Sequence, residues 1–270
     1  MQETYNKILR VRKKLTDWFN CISTNPMFSN SEVIEELMEI RGYTSPHIAE
    51  VMRKKLQDEG LFRIESLTLS QYFYPLKDEE LLETGIVHKG RSGESTFLLG
   101  GRYCLPIRDT MGNVQAIVSY FPDNRKYVTT STFGFSKATT FYGIEHKEYY
   151  TAPYVCVVEG IYDTVCCQAF GISALGNMGL DMSAYKTEIL SRYQRIIAIP
   201  DNDKAGRTAS PFHTTGRNNV WVIKNKHSFV EMPSTRGITF KDMDELLKRV
   251  PCAEAIKAEF NKSNGIIIRL

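Results

Sequence analysis

The chain has 270 residues, 42% of them hydrophobic and 24% charged, which suits one large domain or two packed subdomains and excludes a disordered, collagen-like or coiled-coil protein. A net charge of +3 permits contact with a phosphate backbone without requiring it. No window approaches the roughly 20 apolar residues of a membrane span, so a cytoplasmic protein without membrane contact is expected.

The N-terminus, MQETYNKILRVRKK, reads as a charged helix with no apolar stretch behind it. Apolar residues recur at helical spacing in Ile8, Val11, Leu15 and Phe19, and again in Val33, Ile34, Leu37 and Met38. Asn30 and Ser31 are candidate caps for the second run, and Gly42 and Gly60 mark turns. Residues 1–90 are therefore expected to be mostly helical. TFLLGGRYCLPI, VQAIVSYF and KYVTT then predict strands of a small antiparallel sheet, with a turn at Asp109–Asn113.

From Tyr154 the pattern alternates strand and helix. Tyr154–Val158 and Arg195–Ile199 are continuous apolar runs, as buried central strands require, and Val220–Ile223 predicts a third. A helix is expected over Ile161–Phe170 and another from Asp242 to Phe260. Such alternation implies an α/β fold with a mostly parallel sheet. The change in pattern suggests an N-terminal α+β subdomain over residues 1–150 and an α/β domain over 151–270. The six cysteines have no metal-ligand spacing, so buried free thiols and no zinc site are expected.

The strongest chemical signal lies where the strands end. Glu159-Gly160 follows the first, with Asp163 about one helical turn on; Asp201 and Asp203 follow the second; Asp242 and Asp244 open the last helix. Open α/β sheets bind ligands outside the carboxyl ends of their strands, so these acids should converge there. Clustered carboxylates repel unless a cation neutralises them, and Mg²⁺, a hard ion that shares its shell with substrate phosphates, suits that role. An Asp-x-Asp alone is common in solvated turns, and Asp242 and Asp244 also suit a helix N-terminus. The ordered set after two buried strands is far more specific.

VVEGIYD, ALGNMG, IAIPDNDKAGRTA and KDMDELL resemble the TOPRIM fold in the version found in bacterial-type, DnaG-like primases. RYCLPIRDTMGNV is similar to that family's basic strand-turn motif, and the segment from Lys126 through Lys137 to Gly143 to its nucleotide- and template-binding region. One departure is Gly176-Asn177 where the family usually has Gly-Thr. The resemblance implies a TOPRIM-type, mostly parallel sheet flanked by helices. It also implies metal-dependent synthesis of RNA primers from NTPs on single-stranded DNA. It makes Glu159, Asp201 and Asp203 catalytic, adds Asp242 and Asp244 to the metal set, and gives Arg102, Arg108, Lys126 and Lys137 to nucleotide or template. Mg²⁺ is the implied cofactor, with Mn²⁺ as an alternative, and a replicative helicase acting in trans an implied partner. The expected protein is a stripped core of the kind a phage encodes, acting in the host cytoplasm. A TOPRIM nuclease and a non-catalytic DNA-binding scaffold are the alternatives.

Overall fold

The computed structural model describes residues 1–65, 76–124, 126–146, 152, 154–179, 182–193, 195–199, 201, 227–229, 234–235, 238–239 and 242–249. The chain divides into two units, Met1–Arg41 with Leu56–Phe135, and Gly42–Lys55 with Ser136–Leu270.

In the first unit, helix α1 (Gln2–Ser23) buries Val11, Leu15, Trp18, Phe19 and Ile22, a single stripe at helical spacing. The rings of Trp18 and Phe19 meet Phe62 edge-on at 5.9 and 6.0 Å. Asn30 acts as the cap its position suggests: its Oδ1 accepts the Val33 amide at 3.0 Å, opening α2 (Ser31–Arg41). Asn30→Ala is expected to cost about 1 kcal/mol, read as a lower urea midpoint at unchanged slope. Helix α3 (Pro46–Glu59), which belongs to the second unit as far as Lys55, follows in the chain and ends at Gly60 with φ 78°.

After α3 come strand β1 (Phe62–Arg63), helix α4 (Asp78–Thr84) and a short hairpin of β2 (Val87–Lys89) and β3 (Ser95–Phe97). The expected strand TFLLGGRYCLPI is split, because Gly101 turns the chain at φ 63° and its amide is taken by the Ile64 carbonyl at 2.8 Å. β4 (Tyr103–Arg108), β5 (Val114–Phe121) and β6 (Lys126–Thr129) complete an antiparallel sheet of order β1-β4-β5-β6. The Asp109–Asn113 turn is held by Asp109 Oδ1, which accepts from the Met111 and Asn113 amides at 2.9 and 3.0 Å. Helix α1 is fastened to the sheet by the Val114 amide on Thr16 Oγ1 at 2.8 Å and by Arg12–Asp109 at 3.1 Å.

In the second unit β7 (Tyr154–Val158), β8 (Ala174–Gly176), β9 (Arg195–Ile199) and β10 (His227–Phe229) form a parallel sheet of order β10-β9-β7-β8. Every residue of β7 is buried, as its uninterrupted apolar run predicts. Val155 and Val157 pack with Ile189, Leu190 and Tyr193 in and after helix α6 (Ala184–Leu190), in a core that Phe141 and Ile144 join. Helix α5 (Ile161–Ala169) follows β7 and is buried along most of its length. Tyr142 also exchanges two backbone bonds with Gly176, at 2.9 and 3.0 Å. Residues 136–146 therefore pack with the parallel sheet, whereas the pattern change alone suggested a division at 150. The expected strand Val220–Ile223 and the helix beyond Arg249 lie outside the described residues; Met243–Arg249 is helical. Burial pushes the thiols of Cys104, Cys156 and Cys167 up, so these cysteines are inert at neutral pH.

Candidate active site

Strand register brings the acids together. Val158, the last residue of β7, pairs with Gly176 of β8 on one side and Ile199 of β9 on the other. The three strands thus end level, and the residues just after them emerge along one edge. Asn177 N donates to Val158 O at 2.8 Å, Met178 N to Glu159 O at 3.0 Å, and Asp201 N to Glu159 Oε1 at 3.3 Å. Glu159 and Asp201, 42 residues apart, are direct neighbours.

Asp163 is the member of the cluster that the motif alone undervalues. It sits in the first turn of α5, 8% exposed, and accepts the Asp244 amide on Oδ1 at 3.1 Å. Burial first, then the charges of Asp242, Asp201 and Asp244, push its carboxyl up to about 8, although the Asp244 amide works the other way. The sequence marks it only by its position one helical turn after Glu159, at the end of the VVEGIYD motif. Gly160 between them leaves room for this carboxyl: a Cβ there would lie 2.3 Å from Asp163 Oδ2, which would have to turn away.

Asp242 caps the last described helix, its Oδ1 accepting the Glu245 amide at 2.8 Å. Asp244, 5% exposed, is engaged on both oxygens: Oδ1 accepts from Tyr43 Oη and from Cys166 Sγ at 3.4 Å, and Oδ2 from Lys248 Nζ at 2.6 Å. Its carboxylate therefore fastens Tyr43, α5 and the last helix, while its backbone amide serves Asp163. Asp203 lies outside the described residues. The donors that can be described are hard carboxylate oxygens crowded enough to hold a buried acid protonated, and that chemistry fits a divalent cation.

The expected cations divide differently. Arg102 precedes β4 and its guanidinium lies 5.3 Å from the ring of Phe121, which pairs with Lys126 across β5 and β6. These residues occupy one end of the antiparallel sheet. The adjoining pair, Tyr120 and Tyr127, have ring centroids 5.1 Å apart, and Arg41 donates to Tyr127 Oη at 3.0 Å. Nothing in the sequence points to Arg41, since no local pattern links residues 86 positions apart. Arg108 is at the other end of β4, 4.8 Å from the Phe19 ring and 3.4 Å from the Gly112 carbonyl, contacts that stabilise the turn. Lys137 is exposed in the second unit, at the start of a single 3-10 turn. None of the described helices is long and apolar enough to cross a membrane.

Residues 156–247 match the family model described as Toprim-like. A DNA primase of Legionella pneumophila is 25% identical over 189 residues, covering 67% of this chain. The chain spans about a third of that relative's length, the share being 32%. Among solved structures, a DnaG primase catalytic domain bound to ssDNA superposes with a TM-score of 0.71 at 20% identity, over 97% of this chain and 83% of that one. The RNA polymerase domain of Mycobacterium tuberculosis DnaG gives 0.70 at 18% identity, over 95% and 83%. The Aquifex aeolicus primase, zinc-binding and RNA polymerase domains, gives 0.70 at 21% identity, over 94% and 60%. The chain therefore has the fold of a DnaG-type primase catalytic core, with a Toprim-like domain over residues 156–247.

Proposed function

We propose that the chain is a DNA primase core that makes short RNA primers on single-stranded DNA. One observation carries this reading: Glu159 and Asp201 meet at the level ends of parallel strands, beside an Asp163 that its acidic neighbours help to keep protonated. Such a patch is costly without a divalent cation, and a cation held there serves phosphoryl chemistry. The likeness to a DnaG catalytic domain solved with ssDNA supports a single-stranded template.

In the proposed reaction a 3′-hydroxyl attacks the α-phosphate of an incoming NTP and pyrophosphate leaves. Glu159, Asp201 and Asp203 are the residues that would hold Mg²⁺ or Mn²⁺, which supplies activation of the nucleophile and neutralisation of the leaving oxygens. Asp242 and Asp244 support the set from the last helix, Asp244 through its amide on Asp163. The strands hold Glu159 and Asp201 at one level edge before substrate arrives, which on this reading leaves little reorganisation of that pair for the reaction step. Arg102 and Lys126 bind nucleic-acid or nucleotide phosphate at the end of the antiparallel sheet, and Lys137 does so from the second unit. Arg108 steadies the far end of the strand that Arg102 precedes. A replicative helicase is the partner in trans, and the cytoplasm the compartment.

Lys126→Ala tests the assignment of that strand end. The variant should bind single-stranded DNA several-fold more weakly, with a log-log salt slope shallower by about 1, as loss of one phosphate contact requires. Fluorescence anisotropy at several KCl concentrations reads both; an unchanged slope removes Lys126 from the interface. The function itself is tested by incubating the protein with single-stranded DNA, labelled NTPs and Mg²⁺. Short RNA products support the primase reading. Cut DNA without incorporation would point to a nuclease sharing the same acids, and neither product, with helicase present, to a scaffold.

A further inference from the structure

Lys186 is 1% exposed on α6, although a lysine on a helix normally extends its ammonium to water. Its Nζ instead points inward, donating to Asn177 O at 2.6 Å and Asn177 Oδ1 at 2.8 Å, with the Phe141 ring centroid at 4.8 Å. Burying a lysine is costly unless strong acceptors meet it, and here one asparagine supplies two. Asn177 is itself 5% exposed and fully engaged: its amide N holds Val158 O, and its Nδ2 holds Gly179 O at 2.7 Å.

The loop so pinned is strained. Met178 has φ 57°, the only non-glycine residue with positive φ among those described. A residue held in that region is strained and persists only where its surroundings fix it. The strained peptide is the one whose amide donates to the carbonyl oxygen of Glu159. A continuous path therefore runs from the Lys186 ammonium through Asn177 and Met178 to the backbone of the acid that also receives the Asp201 amide. It accounts for the asparagine at position 177, whose Oδ1 and Nδ2 are separate atoms for Lys186 and Gly179, where a threonine would have to serve both from one hydroxyl.

We propose that Lys186 and Asn177 act as a pair of positioning residues that set the orientation of Glu159 in the metal site. The proposal rests on the reading of Glu159 as part of that site. Neither residue touches substrate; both act through the Gly176–Gly179 loop.

The test uses Lys186→Met and Asn177→Thr in the full chain, singly and together. Three quantities are read: thermal unfolding, Mn²⁺ binding by electron paramagnetic resonance, and the kcat and KM of nucleotide incorporation. Groups that orient ligand residues typically contribute about 10–100-fold to metal affinity or activity. Each single variant should weaken Mn²⁺ binding by that factor and lower kcat to match, at nearly unchanged KM for NTP. The double variant should be little worse than either single one, because both break the same path. A variant that melts earlier but, where still folded, keeps parental Mn²⁺ affinity and kcat would overturn the proposal, leaving Lys186 a structural residue. If Lys186→Met does not fold, Asn177→Thr decides by the same readings. A parent that makes no primer yet binds Mn²⁺ would sink the primase reading alone, since the Mn²⁺ titrations still judge the pair. A parent that does neither would sink both.

Discussion

Asp201→Ala is expected to lower nucleotide incorporation by about a thousandfold, a loss of about 4 kcal/mol in transition-state stabilisation. The size follows from the site's construction. Asp201 follows β9 at the level edge of the sheet, and its amide donates to Glu159 Oε1, so the two acids are direct neighbours there. On the proposed reading Asp201 supplies one hard oxygen ligand, and its removal would disable the neutralisation of the leaving oxygens. The fold should survive, because the removed charge is one of those that raise Asp163. Single-turnover incorporation beside a thermal melt checks this: a low rate with an unchanged or higher melting temperature is expected. A variant within tenfold of the parent would take Asp201 out of the chemistry.

Asp163→Asn should stabilise the metal-free protein at pH 8 and flatten its pH dependence. In the unfolded chain an aspartate loses its proton near 3.8, whereas in the folded protein Asp163 keeps it up to about 8. Between these values folding takes up a proton, so Asp163 contributes stability fully below about pH 4 and loses it as pH rises through about 8. The asparagine variant has no such proton to lose, and at pH 8 the difference should be on the order of a few kcal/mol. Urea unfolding in EDTA at pH 5 and pH 8 measures it: the parent should lose stability over this interval and the variant much less. Mg²⁺ at pH 8 should recover stability in the parent, because a cation answers the same crowding as the proton. Parallel curves for the two proteins would show that Asp163 is ionised throughout.

Much of the framework is legible in the sequence because it depends on local rules. Tyr154–Val158 and Arg195–Ile199 are strands over the span their apolar runs mark, and Asn30 and Asp109 play the cap and turn roles their types suggest. The meeting of Glu159 and Asp201 was foreseeable from the rule that ligands bind at the carboxyl ends of parallel strands. What escaped depends on register between distant segments. Arg41 joins Tyr127 only because helix and strand meet, and Asp244 faces Tyr43 across 201 positions of sequence. Arg108 fits a basic motif, yet its guanidinium lies over Phe19, a contact that no spacing rule encodes. Lys186 carries no motif, and only the fold buries it against Asn177 of the site loop.

Anomalous diffraction from crystals of the protein grown with Mn²⁺ and an NTP tests the metal assignment most directly. The account predicts a manganese peak coordinated by the carboxylates of Glu159 and Asp201, which Asp201→Ala abolishes. Manganese bound to other residues in a protein that makes primers would contradict it, and would return the acid patch to a structural role.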